Sequence, residues 1–142
     1  NNFVGGSLIV MDNGKVIINY PEQSRINRTV KNKATKYYYK KVVRILKKIK
    51  NDMIENAVEG ANMVSSYGLE CMIYNVPNSI FNSECSSLKK MTYNVVDYLC
   101  KNTFLYSDFL ETNGILKIFD NTNNNKEVYE MLLNNIKKYL EE

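Results

Sequence analysis

Histidine and tryptophan are absent from the 142 residues, proline occurs twice and cysteine three times. Without histidine, and without a Cys-x-x-Cys pair, the ordinary zinc ligand sets are out of reach. Cys71, Cys85 and Cys100 form no close pair and leave one over, which argues against a disulfide scaffold and for a reducing compartment. No apolar run approaches the roughly 20 residues that cross a bilayer, and Asn1 begins no basic-then-apolar leader. A cytoplasmic protein with no membrane partner is therefore expected. The chain also lacks an initiating methionine and opens on an apolar, strand-like segment, so it reads as a piece of a longer protein. Its length supports a single core.

Carboxylates are scarce where positive charge is densest. From Pro21 to Lys50 the chain carries Arg25, Arg28, Lys31, Lys33, Lys36, Lys40, Lys41, Arg44, Lys47, Lys48 and Lys50, and its only acid is Glu22. Elsewhere acids outnumber bases, so the formal charge of +4 is a local concentration on a mildly acidic protein. Such focusing points to an anionic ligand, with phosphate the leading chemistry.

The pattern of apolar residues predicts a mainly α fold, a helical bundle behind a short N-terminal β-hairpin, divided at residues 1–20 and 21–142. Leu8 to Met11 and Lys15 to Tyr20 are Val- and Ile-rich runs on either side of Asp12-Asn13-Gly14, a hairpin signal because Asn-Gly adopts the positive φ of tight turns. A lone two-stranded ribbon is marginal in water, so these strands are expected to extend a larger sheet. Tyr39, Val42, Val43, Leu46, Ile49 and Met53 share one side of a helix over about Thr35 to Ala57, with Lys36, Lys40, Arg44 and Lys47 on a neighbouring side. Glu22 to Ala34 is a weaker helix. Ser65 or Ser66 caps a helix through Leu69 and Ile73 that Pro77 stops, although Glu70 to Val76 also suits a strand. Ser86 or Ser87 opens another helix through Leu88, Met91, Val95 and Leu99. Asn113-Gly114 marks a turn, and Ile115 to Phe119 is a short strand or a core-plugging loop. Asn121 to Asn125 is a polar linker. Lys126 to Leu140 closes the chain as a helix with Val128, Met131, Leu132, Ile136, Tyr139 and Leu140 directed inward.

Asn19-Tyr20-Pro21, Asn27, Lys31-Asn32, Thr35, Tyr39-Lys40 and Val43-Arg44-Ile45-Leu46-Lys47, followed by Cys71-Met72-Ile73-Tyr74-Asn75-Val76-Pro77-Asn78, resemble the C-terminal half of bacterial nucleotidyltransferases related to cyclic-dinucleotide and oligoadenylate synthases. The resemblance covers Asn19 to Phe81 and thins towards the end of the chain. It implies the second lobe of a two-lobed nucleotidyltransferase fold, with ATP or another nucleoside triphosphate and magnesium between the lobes, and a setting in antiviral defence. It further implies that Lys31, Lys40, Arg44 and Lys47 counter the triphosphate charge, with Asn32, Thr35 and Tyr39 in support. Arginine makes a two-pronged phosphate contact, whereas lysine acts as a mobile point charge. The catalytic acids of such proteins follow a glycine-serine helix start in the first lobe. Here Gly6-Ser7 leads into apolar residues and Asp12 sits in the hairpin turn. Magnesium would thus be bound by a first lobe outside this chain, and the chain alone would grip a nucleotide without turning it over.

Plainer readings stand beside these. The basic ridge also suits a solvated helix face, Asn32 and Thr35 are placed to cap the long helix, and Asn75 suits a structural hydrogen-bonding role. The tyrosines at 37 to 39 are candidates both for base stacking and for core. A rival function is a noncatalytic nucleic-acid-binding module using the ridge on a phosphate backbone, and another is an interaction domain for an acidic protein surface.

Overall fold

In the computed structural model the described residues are 6–10, 14, 16–81, 84–120 and 124–142. Strand β1 (Ser7–Val10) pairs antiparallel with β2 (Val16–Asn19), Ser7 opposite Asn19 and Val10 opposite Val16. Among the described residues the sheet consists of this pair. Gly14 has a φ of +81°, as a tight turn needs, while Asp12 and Asn13 lie outside the described residues. Leu8 is 70% exposed and Ile18 44%, so apolar strand surface faces outward.

Six α-helices follow among the described residues: α1 (Pro21–Ala34), α2 (Tyr38–Glu55), α3 (Ser66–Tyr74), α4 (Asn78–Phe81), α5 (Leu88–Lys101) and α6 (Lys126–Glu141). α2 is the axis of the core. All six residues of its expected apolar stripe are buried, and the helix packs against α1, α3, α5 and α6. The expected caps form. The Ser65 hydroxyl accepts from the Gly68 N–H at 2.9 Å and the Ser87 hydroxyl from that of Lys90 at 3.1 Å, each satisfying a donor left free at a helix start. Glu70 to Val76 is thus helix and not strand as far as Tyr74. α6 buries Tyr129, Leu132, Leu133, Ile136 and Leu140, whereas Met131 and Tyr139, expected inside, are 38% and 47% exposed. Leu132, Ile136 and Leu140 keep the expected face, and Tyr129 and Leu133 extend it on one side, where the Tyr129 ring meets Phe119 edge-on.

α1 is built differently. Pro21 opens it, and Glu22 in its first turn with Lys31 and Lys33 in its last complement the helix dipole. Ser24 is its only buried residue. Hydrogen bonds dock it in place of an apolar stripe: Ser24 Oγ pairs with Thr112 Oγ1, and Asn27 Nδ2 donates to the Thr112 carbonyl at 3.0 Å. Residues 109–119 form the core-plugging loop, joined by a single Leu110–Lys117 bridge, with Ile118 buried. Asn113 Oδ1 accepts from the N–H groups of Ile115 and Leu116, which makes the Asn-Gly turn. Asn75 plays the structural part expected of it, since its amide both donates to and accepts from the Leu110 backbone. No described helix is long and apolar enough to cross a membrane.

Candidate nucleotide-binding cleft

The chain turns between α1 and α2 through Lys36 and Tyr37, both at positive φ (54° and 69°). Two side chains hold this strained corner. Thr35 Oγ1 accepts from the Tyr39 N–H at 3.0 Å, and Asn32 Oδ1 accepts from the Lys40 N–H at 3.1 Å. Both are therefore caps of α2. The corner sets the two helices apart, and between them lies a cleft of about 320 Å³ lined by Arg25, Arg28, Thr29, Asn32, Lys33, Tyr37, Tyr39, Lys40 and Glu70. Arg25, Arg28, Thr29 and Asn32 recur at three- and four-residue steps, which puts them on one face of α1.

Four cations and one carboxylate line this space. Glu70, 8% exposed, stands between Lys47 Nζ at 3.2 Å and Arg28 Nη1 at 3.7 Å, as a buried carboxylate requires. Arg25 pairs with Glu22 on the surface. Lys33 and Lys40 have no acidic partner among the described residues. Arg28 also borders a second hollow of about 370 Å³, lined by Asn19, Tyr20, Pro21, Ser24, Tyr67 and Asn113. The two spaces adjoin along α1. In the second, the Tyr67 hydroxyl donates to Glu111 Oε1 at 3.0 Å, and burial raises the Glu111 carboxyl above its ordinary range.

The sequence candidates divide. Lys40 lines the cleft, and Lys47 reaches its edge through Glu70. Arg44, one turn beyond Lys40, is exposed and without an acidic partner among the described residues. Lys31 points elsewhere: its Nζ donates to the Val76 carbonyl and lies 5.3 Å from the Phe81 ring centre and 5.7 Å from that of Tyr74. Burial there pulls its amine down to about 8. Tyr39 is a core residue whose ring meets Tyr74 and Phe81 edge-on, and Tyr37 stands 58% exposed at the rim. Arg25, Arg28 and Lys33 belong to the basic stretch read from sequence but not to the phosphate set that the resemblance implies, and the Arg25-Arg28-Asn32 spacing is the signal that groups the two arginines. Among the described residues, no three histidine, cysteine or carboxylate side chains gather as a metal site would need.

Residues 26–141 match the family described as the cGAS/DncV-like nucleotidyltransferase C-terminal helical domain. The chain belongs to this family. It is 37% identical over 142 residues to the cyclic GMP-AMP synthase CdnE03 of Staphylococcus schleiferi, covering 99% of this chain and 43% of that protein. It is 36% identical over 110 residues to a cyclic dipurine nucleotide synthase of Elizabethkingia meningoseptica, covering 78% and 37%. The solved structure of the E. meningoseptica CdnE cyclic dinucleotide synthase with GTP and Apcpp superposes with a TM-score of 0.86 at 31% identity, over 95% of this chain and 49% of that one. The Rhodothermus marinus CdnE c-UMP-AMP synthase with Apcpp and Upnpp gives 0.81 at 26%, over 97% and 45%. The chain thus spans less than half the length of the relatives it matches, and that shared half is the helical domain of a cGAS/DncV-like nucleotidyltransferase.

Proposed function

We propose that the chain is the phosphate-gripping lobe of a cyclic-nucleotide synthase, which joins nucleotides from triphosphates with release of pyrophosphate. The observation that carries this reading is the convergence of Arg25, Arg28, Lys33 and Lys40 on one cleft whose only carboxylate among the described residues is Glu70. Arg28 and Arg25 supply forked donors and the lysines supply mobile charge. Lys47 backs Glu70, Arg44 extends the field outward, and Lys31 braces α1 against the α3–α4 turn. The hairpin, with Leu8 and Ile18 outward, continues the sheet of a catalytic lobe that supplies the acids for magnesium. Transfer requires that catalytic lobe, and the part of this chain is to bind the nucleotide.

The test is calorimetric titration of the chain with ATP, followed by the Arg28→Ala/Lys40→Ala variant. Binding by the parent that falls at least tenfold in the variant is expected, since each removes a charge-assisted contact. Equal affinity in both proteins refutes the assignment. The exposed cations outside the cleft, Arg44 and Lys48, favour a second reading as a nucleic-acid surface. A duplex that outcompetes ATP with steep salt dependence would select that reading.

A further inference from the structure

The Tyr39 hydroxyl is buried and makes no hydrogen bond, the only fully covered side-chain nitrogen or oxygen among the described residues in that state. The residue is 1% exposed, and its ring is fixed by edge contacts to Tyr74 and Phe81 at 6.3 and 6.1 Å. Tyr39 nevertheless lines the basic cleft, and Glu70 and Arg28 are among the charges that act on its hydroxyl. An unpaired buried hydroxyl is destabilising, so phenylalanine is the better residue for folding alone. Glu70 has one oxygen on Lys47 and the other beside Arg28. The remaining charged groups around the cleft are ammonium and guanidinium donors. What the hydroxyl lacks is an acceptor.

We propose that the Tyr39 hydroxyl donates a hydrogen bond to a phosphoryl oxygen of the nucleotide bound in this cleft. The inference rests on the cleft being a polyphosphate site. Arg28 lines the same cleft and stands 3.7 Å from Glu70, too far for a hydrogen bond, so an incoming phosphate can recruit it beside the hydroxyl. Tyr39 is then a ligand-contacting residue whose side chain is seated before the ligand arrives, and its ordering costs nothing at binding.

The test is Tyr39→Phe, which keeps the ring and removes only the hydroxyl, probed with inorganic tripolyphosphate on the full 142-residue chain. Without ligand, the variant is expected to unfold at the same temperature as the parent or higher. With ligand, its affinity is expected to fall about tenfold, as for loss of one hydrogen bond to a charged group. If parent and variant bind equally, the inference falls while the cleft reading stands. A ligand-free variant that unfolds several degrees lower also overturns it, because the hydroxyl then has a partner within the protein or in water. Absence of binding by the parent removes the cleft reading and the inference together.

Discussion

Glu70→Gln separates the two jobs of the cleft, because it changes stability and affinity in opposite directions. The substitution keeps shape and removes the only negative charge lining the site among the described residues. At an effective dielectric of about 20, a carboxylate attracts a cation at 3.2 Å by about 5 kcal/mol and one at 3.7 Å by about 4.5 kcal/mol. Most of that is offset. The Lys47 and Arg28 side chains are 35% and 40% exposed and recover hydration, and the desolvation of the carboxylate disappears. A net loss of about 1–3 kcal/mol remains, a fall in Tm on the order of 3–10 °C. Affinity moves the other way. Taking the phosphates at about 8 Å, each unit charge feels Glu70 by roughly 0.5 kcal/mol in water and about 0.2 kcal/mol after physiological screening. Over three or four phosphate charges this gives about 0.7 kcal/mol, and more in the less polar cleft, so tripolyphosphate should bind roughly three- to tenfold tighter. Differential scanning calorimetry and isothermal titration measure the two effects on one preparation. A variant that binds more weakly than the parent refutes the reasoning, because Glu70 would then be needed to hold the cations for the ligand.

Lys31 carries a pH signature. Its amine titrates at about 8 in the fold and near 10.4 when unfolded, so between these values the unfolded chain holds more protons and stability rises with pH. The penalty for the charged amine is complete below the folded value. The stability of the parent minus that of Lys31→Met should therefore grow from pH 8 to 10.4 by on the order of 1–2 kcal/mol, discounted for the amine's partial exposure; a flat difference in urea melts contradicts it. Gly68→Ala places a Cβ about 2.2 Å from Tyr129 Oη, whose residue is 3% exposed. A loss of about 3 kcal/mol is expected, and an unchanged denaturation midpoint would show that the Tyr129 ring moves aside at no cost.

What could be read from sequence followed the source of each element's stability. α2 was legible because burial sets its periodicity, and Tyr39 to Met53 keep to one side. α1 was read weakly for the opposite reason: it hides only Ser24 and is held by polar contacts to Thr112, 85 to 88 positions away. The ridge on α2 was visible, but its partner wall was not, since Arg25, Arg28 and Lys33 face it only after the chain turns. Lys31, joined to Lys40 by resemblance alone, lies on the other side of that turn. The left-handed corner at Lys36 and Tyr37 breaks the wheel between α1 and α2, so Lys31 and Lys40 cannot be placed on one face by counting. Asn75 succeeded because its role, an amide paired with backbone, needs only a nearby strand-like segment.

The way α1 is attached also sets how it can come loose. A helix seated on hydroxyls and amides uncovers little oily surface when it lifts away, and each freed polar group finds water at once. Its release should be nearly indifferent to urea, as local fluctuations are, while the rest of the bundle yields only in the global transition. One wall of the basic cleft would then breathe on its own, admitting and discharging the proposed nucleotide with the core undisturbed.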